Sequence, residues 1–278
     1  MKKDILQSLS ENSKIKNEAC KYRGIDVSRW QGEIDWKKVK ESGIKFAMIR
    51  MGLGNKNDSG MRLDEYFIRN VREARAAGVD IGCYFYSYAH NIVEANEEAQ
   101  FVIDTLRDYP GVFTYPIVLD LESRGLEALG KDVLTNVILA FGAAIEKAGY
   151  YFAFYSNPNW LTYMLHADKL TNFDLWLAEW KEKPTYEGKF TIWQYGVDKV
   201  NGINGDVDMD ISYKNYPEII KANGFNGFKI NTEPDPSPFK FDNPVDEIHA
   251  VFCRECRKPH SCNYCDISKT ISIVKKYY

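Results

Sequence analysis

The sequence predicts an α/β fold: a closed (β/α)8-like TIM barrel with reduced helices in its last repeats, plus a small cysteine-rich C-terminal segment. Three observations predict it. Eight short strand candidates fall within roughly 190 residues, and helical periods separate the first five; strands joined in this way pair in parallel, because each crossover needs a helix-sized connection. No G-x-G-x-x-G follows the first strand, which argues against an open doubly wound sheet. Beyond about Gly227 the texture turns proline-punctuated and then cysteine-rich.

Residues 1–21 are polar, with Ile5, Leu6, Leu9 and Ile15 as the bulky apolar residues after Met1, and read as a leader. From Tyr22 the alternation begins. Arg23-Gly-Ile-Asp-Val-Ser-Arg-Trp30 is a strand running into polar residues, and Asp35 heads a helix that Gly43 stops. Phe46–Met51 is the second strand, followed by a glycine-rich loop from Gly52 to Gly60. Leu63, Phe67, Val71, Ala74 and Ala77 then recur at helical spacing. Asp80–Tyr88 is the third strand, and the next helix places Ile92, Ala95, Ala99, Val102 and Leu106 on one face. Ile117–Leu119 forms a short buried strand that ends in Asp120-Leu-Glu122. Val133, Val137, Phe141, Ala144 and Ala148 mark the fourth long helix, and Tyr151–Tyr155 the fifth strand. Leu175–Trp180, Phe190–Tyr195 and Asp206–Ile211 complete the barrel with little helix between them. The domain reading is therefore a barrel over 22–227, a Pro-rich linker over 228–244 and a Cys-rich tail over 245–278.

Composition narrows the function classes. Net charge is −3, so no basic field points to nucleic acid or an anionic membrane. No apolar run approaches the roughly 20 residues of a membrane span. The N-terminus has a basic start but no apolar h-region, so no signal peptide is evident and an extracellular role implies release by lysis or non-classical export. Aromatic content of 14%, with 18 Tyr and 6 Trp, suits either core packing or a planar-ligand cleft.

In a parallel barrel the active site forms where strands end and βα loops begin. Those ends carry Asp26, Arg29 and Trp30; Tyr84, Tyr86 and Tyr88; Asp120 and Glu122; Tyr155 and Asn157; Glu179 and Trp180; Gln194 and Tyr195; and Asp206, Asp208 and Asp210. Asp120 and Glu122, at i and i+2, leave their strand on one face, and carboxylates forced together at a buried strand tip are costly unless used. Carboxylates in an aromatic cleft without His fit glycosidic bond cleavage better than acyl or phosphoryl transfer. Asp26, Asp120, Glu122 and Asp208 are the catalytic candidates. Tyr84, Tyr86, Tyr155, Trp180, Gln194 and Tyr195 are the substrate-binding candidates, although Tyr84, Tyr86 and Tyr155 could equally fill the barrel. Trp176 and Trp193 read as core, Glu179 as a rim contact, and Arg50 and His90 as structural or solvated.

These residues carry a resemblance. Gly24-Ile-Asp-Val-Ser-Arg-Trp-Gln-Gly32, Tyr84-Phe-Tyr86, Val118-Leu-Asp-Leu-Glu122, Phe154-Tyr-Ser-Asn157, Leu175-Trp-Leu-Ala178, Ile192-Trp-Gln-Tyr195 and Val207-Asp-Met209 resemble, in order and spacing, glycoside hydrolase family 25, the Chalaropsis-type lysozymes or N-acetylmuramidases. The resemblance covers residues 22 to about 216. It implies peptidoglycan glycan strands as substrate, no cofactor for catalysis, Glu122 as acid/base, Asp120 as its partner, and Asp26 and Asp208 as flanking acids. It implies a retaining reaction in which the 2-acetamido oxygen of the substrate attacks and Asp120 orients that group, with attack by Asp120 or Asp26 as the alternative. Asp210 stands where the family usually has Asn.

Two other readings compete: a catalytically silent glycan-binding barrel, and a family 18 chitinase. The chitinase pattern D-x-x-D-x-D-x-E is incomplete, because Tyr115 and Val118 occupy its first two acidic positions. In the tail, Cys253-Arg-Glu-Cys256 and Cys262-Asn-Tyr-Cys265 could hold a structural zinc; disulfides and reduced thiols compete, since the five-residue spacer is shorter than that of a common zinc ribbon.

Overall fold

The structure, a computed structural model, describes residues 21–55 and 59–230. The leader up to residue 20, the linker beyond residue 230 and the tail with Cys253, Cys256, Cys262 and Cys265 lie outside the described residues. In chain order the strands are β1 (Tyr22–Val27), β2 (Phe46–Leu53), β3 (Arg62–Leu63), β4 (Asp80–Tyr86), β5 (Ile117–Asp120), β6 (Phe152–Ser156), β7 (Asp174–Ala178), β8 (Ile192–Lys199) and β9 (Asp206–Ser212). The helices are α1 (Trp36–Glu41), α2 (Phe67–Ala76), α3 (Ile92–Leu106), α4 (Lys131–Lys147) and α5 (Tyr216–Ala222).

Local chemistry sets these boundaries. Asp35 accepts from the Lys38 amide at 3.2 Å to start α1. Asn91 accepts from Val93 and Glu94 at 2.9 and 3.1 Å to start α3. Each satisfies amides that a helix leaves unpaired at its first turn. Leu63, expected to begin a helix, instead pairs with Gly52 in the hairpin of β3 on β2, and α2 starts at Phe67.

The ring closes β1-β2-β4-β5-β6-β7-β8-β9 and returns to β1, with β3 outside it. Pairing is parallel from β1 through β8. The expectation of a parallel barrel fails at the last strand, because β9 runs antiparallel to both β8 and β1. Only residues 200–205 separate β8 from β9, too few for a crossover helix, so the two form a hairpin. Gly202 and Gly205 supply its positive φ angles of 100° and 95°.

Strand alternation sorts the core into two layers. Outward residues such as Ile25, Val27, Ile49, Ile81, Phe85, Leu119, Phe154 and Leu177 pack against Phe67, Val71, Val102, Leu134, Val137 and Phe141 of the helices. Inward residues of the lower barrel form a second cluster: Phe46, Met48, Val118, Ala153, Trp176 and Ile192, floored by Tyr115, Tyr216 and Ile220. Phe46 stacks on Tyr115 at 4.3 Å, and Gly24 permits this, since a Cβ there would lie 2.3 Å from the Phe46 ring. The barrel is thus plugged from below. Its inward positions near the opposite mouth are polar.

Candidate active site

Those polar positions follow from parity. Asp26 on β1, Arg50 on β2, Tyr84 and Tyr86 on β4, Asp120 on β5, Tyr155 on β6 and Gln194 on β8 continue the inward rows that Gly24, Phe46, Gly82, Val118, Ala153 and Ile192 begin. The reversed β9 contributes from its N-terminal half. Its Asp208 pairs across the ladder with Asp26, Asp210 lies one inward step deeper opposite Gly24, and Asp206 is exposed. Reading the acids from the end of a parallel strand would have inverted this order.

Asp26 and Asp120 are buried, whereas Glu122, two residues past Asp120, and Asp208 are half-buried. Asp26 Oδ2 accepts from Gln194 Nε2 at 2.8 Å. Burial first, then the Asp208 charge, pushes Asp26 well above the usual carboxylate range; the Gln194 hydrogen bond and Arg50 oppose the rise. Asp120 is pushed up by burial, then by Glu122 and Asp26, against the pull of Arg50. Burial and Asp208 raise Glu122. Asp120 Oδ1 is buried and has no protein partner. Carboxylates crowded in this way disfavour one another's ionisation and titrate as a coupled group.

Gln194 is the hub of the polar layer. Its Oε1 accepts from Tyr155 Oη at 3.2 Å and from Trp180 Nε1 at 3.0 Å, which orients its amide nitrogen toward Asp26. Gln194 is buried, so it acts on Asp26 from within the protein, while Trp180, 58% exposed, presents its ring at the rim. Tyr84 and Tyr155 meet Trp176 edge-on at 5.8 and 5.0 Å. Tyr84 is buried barrel filling; Tyr155 is half-buried and Tyr86 lies beside Tyr88, their rings 5.1 Å apart. Tyr195 does not join the layer. It packs with Trp193 at 5.5 Å in the outer cluster, because neighbours at odd positions of β8 face away from the barrel axis. Glu179 turns from the rim to hold its own loop, accepting from the Thr185 and Tyr186 amides at 2.8 and 3.2 Å and pairing with Lys181 at 2.8 Å.

Two residues matter more than their sequence context suggests. Arg50 is buried rather than solvated, its Nε 2.8 Å and Nη2 2.7 Å from Asp64 Oδ2. The alternation Phe46, Met48, Arg50 already placed it on the inward face. Asp210 is fully buried and accepts from Trp176 Nε1 at 2.8 Å, with its second oxygen unpartnered. Among the described residues no His, Cys, Asp and Glu grouping is suited to hold a metal ion.

Against known proteins, a family model described as "Glycosyl hydrolases family 25" matches residues 25–203. YegX of Escherichia coli K12, named as an uncharacterized protein, is 32% identical over 197 residues, covering 68% of each chain. Lysozyme M1 of Streptomyces globisporus is 28% identical over 204 residues, covering 68% of this chain and 66% of its own. The modular autolysin LytC of Streptococcus pneumoniae, solved with a synthetic peptidoglycan ligand, superposes with a TM-score of 0.61 at 26% identity, over 69% of this chain and 46% of LytC.

Proposed function

The chain belongs to glycosyl hydrolase family 25, and on that premise we propose that it is an N-acetylmuramidase hydrolysing the β-1,4 bond between N-acetylmuramic acid and N-acetylglucosamine in peptidoglycan. The observation that carries this reading is the carboxylate cluster: Glu122 at the mouth, raised by burial and Asp208, above the buried Asp120 whose Oδ1 has no protein partner. Lysozyme M1 and LytC, similar to this chain, bear names of wall-degrading enzymes.

In the proposed reaction Glu122 gives its proton to the glycosidic oxygen as the bond from C1 breaks. The 2-acetamido oxygen of the same sugar closes on C1, and Asp120 accepts from the acetamido N–H and offsets the positive charge of the oxazolinium ring. Ionised Glu122 then takes a proton from a water that attacks C1, which returns the original anomeric configuration. Such substrate-assisted chemistry departs from the two-carboxylate scheme with a protein nucleophile. A free Asp120 oxygen at the cluster supports the acetamido role. Asp26, held by Gln194, and Asp208 shape the field, and the Trp180, Tyr86 and Tyr155 rings offer apolar sugar contacts. No resident cofactor enters these steps. The site of action is the bacterial wall; among the described residues no helix is long and apolar enough to cross a membrane.

Purified peptidoglycan digested by the wild-type chain and by Glu122→Gln tests the reading. New muramic acid reducing ends from the wild type, and none from a folded Glu122→Gln, are expected. Glucosamine ends, or near-wild-type turnover by Glu122→Gln, would overturn it.

A further inference from the structure

Arg50 is a buried cation among acids, and its own strand neighbours show why it stays there. It lies on β2, between β1 with Asp26 and the β4–β5 pair with Asp120; it is two residues beyond Met48, the ladder partner of Asp26, and is itself paired with Tyr84. Asp64 fixes the guanidinium with two contacts of 2.8 and 2.7 Å. The Asp64 carboxylate is in turn held by the amides of Arg29 at 3.1 Å and Tyr66 at 3.0 Å. A guanidinium clamped by an immobile carboxylate cannot swing out to solvent, so its charge is a fixed element of the mouth.

We propose that Arg50, clamped by Asp64, is a positioning residue: as a fixed cation on the inward row between the strands of Asp26 and Asp120, it eases the ionisation of these two acids and acts less on Glu122, which lies beyond the end of β5. The inference rests on the muramidase reading. Burial and neighbouring acids raise both Asp26 and Asp120, and Arg50 works against that rise, whereas Glu122 is raised by burial and Asp208. The other titratable groups facing this cluster are Asp208 and Asp210 from β9, Tyr84 and Tyr86 from β4, and Tyr155 from β6. All of these are acids, and Arg50 is a buried cation in the same layer.

Carboxyl-carbon NMR titration of the wild type, Arg50→Gln and Asp64→Asn tests this without relying on turnover. An adjacent opposite charge lowers an Asp midpoint by about 1–3 units, so Arg50→Gln is expected to raise the Asp26 and Asp120 midpoints by at least about one unit while Glu122 moves much less. Asp64→Asn removes the charge that screens Arg50 and is expected to move both midpoints the other way. The ascending limb of glycan release against pH should follow each shift. Unmoved Asp26 and Asp120 midpoints in a folded variant, or a Glu122 shift as large as theirs, would overturn the proposal. If Arg50→Gln does not fold, Asp64→Asn decides alone. A wild type that releases no muramic acid ends would sink the muramidase reading and leave this titration standing.

Discussion

Asp210, which stands where the resemblance implies Asn, shows what a buried acid beneath the cluster costs. Its carboxyl sits beneath Asp26, fully buried, with Trp176 satisfying one oxygen. Burial first, then Asp26 and Asp208, push it well above the usual carboxylate range. The folded chain therefore holds this proton more tightly than the unfolded chain. A raised folded value gives a stabilising contribution complete at acid pH and lost as pH rises through it. Asp210→Asn keeps an oxygen for Trp176 and removes the ionisation. Its thermal midpoint should exceed that of the wild type by a gap that widens as pH rises above the unfolded carboxylate value of about 4; a constant gap would contradict a titrating Asp210. The acid was legible in the sequence, but its depth was not, since depth depends on the direction of β9. The sequence leaves Arg50 between a structural and a solvated role for a similar reason: Asp64, its partner, lies across a hairpin that apolar periodicity does not reveal. Asp26 and Asp120 were legible because each ends an apolar strand on its inward parity, and parity needs only local sequence.

At the scale of elements, the strands and long helices could be read from periodicity, whereas the sense of the last strand could not. Parallel pairing was inferred from helical connections, and β8–β9 has none. The loops on the catalytic mouth depend on a further contact of this hidden kind. Glu98 on α3 is buried and accepts from Ser87 Oγ at 2.5 Å and the Tyr88 amide at 3.0 Å. A Cβ on Gly54 would lie 1.8 Å from its Oε1, so the loop after β2 closes directly over this carboxylate. Ser87 also donates its amide to the Asp120 carbonyl at 2.8 Å. One helix side chain thereby ties the loops after β2 and β4 to the strand end carrying Asp120. Glu98→Ala leaves the Ser87 hydroxyl and Tyr88 amide without this acceptor, and a lost buried partner costs about 1–3 kcal/mol. Chemical denaturation should show a loss of that size, accompanied by slower glycan release from the displaced Tyr86–Tyr88 segment. Unchanged stability would mean that the loops hold themselves.

The whole molecule places its chemistry on a closed ring, and closure sets which part of the chain catalysis needs. Each barrel strand has two neighbours, so no open edge remains to be covered by another segment. The floor is completed from within the same residues. Tyr216 of α5 donates to Asp174 at 2.9 Å and lies 2.7 Å from the Thr191 hydroxyl, and Asn226 bridges the Phe113 and Tyr115 carbonyls at 2.8 and 3.1 Å. Asn226 holds this position with φ of 56°, a conformation Asn adopts more readily than most residues. The family match ends before this floor, at residue 203, yet β9 and α5 are needed to seal the ring and its base. A chain stopped at Ile230 therefore retains every one of these bonds. It is expected to unfold cooperatively and to release muramic acid ends from purified peptidoglycan at a rate within a few-fold of the full chain. A chain stopped at residue 203 lacks β9, exposes the edges of β1 and β8, loses Asp208, and should neither fold nor cleave. Circular dichroism and reducing-end release on the two truncations separate these outcomes. A folded but inactive 230-residue chain would show that catalysis depends on the proline-rich and cysteine-rich segments rather than on the barrel alone.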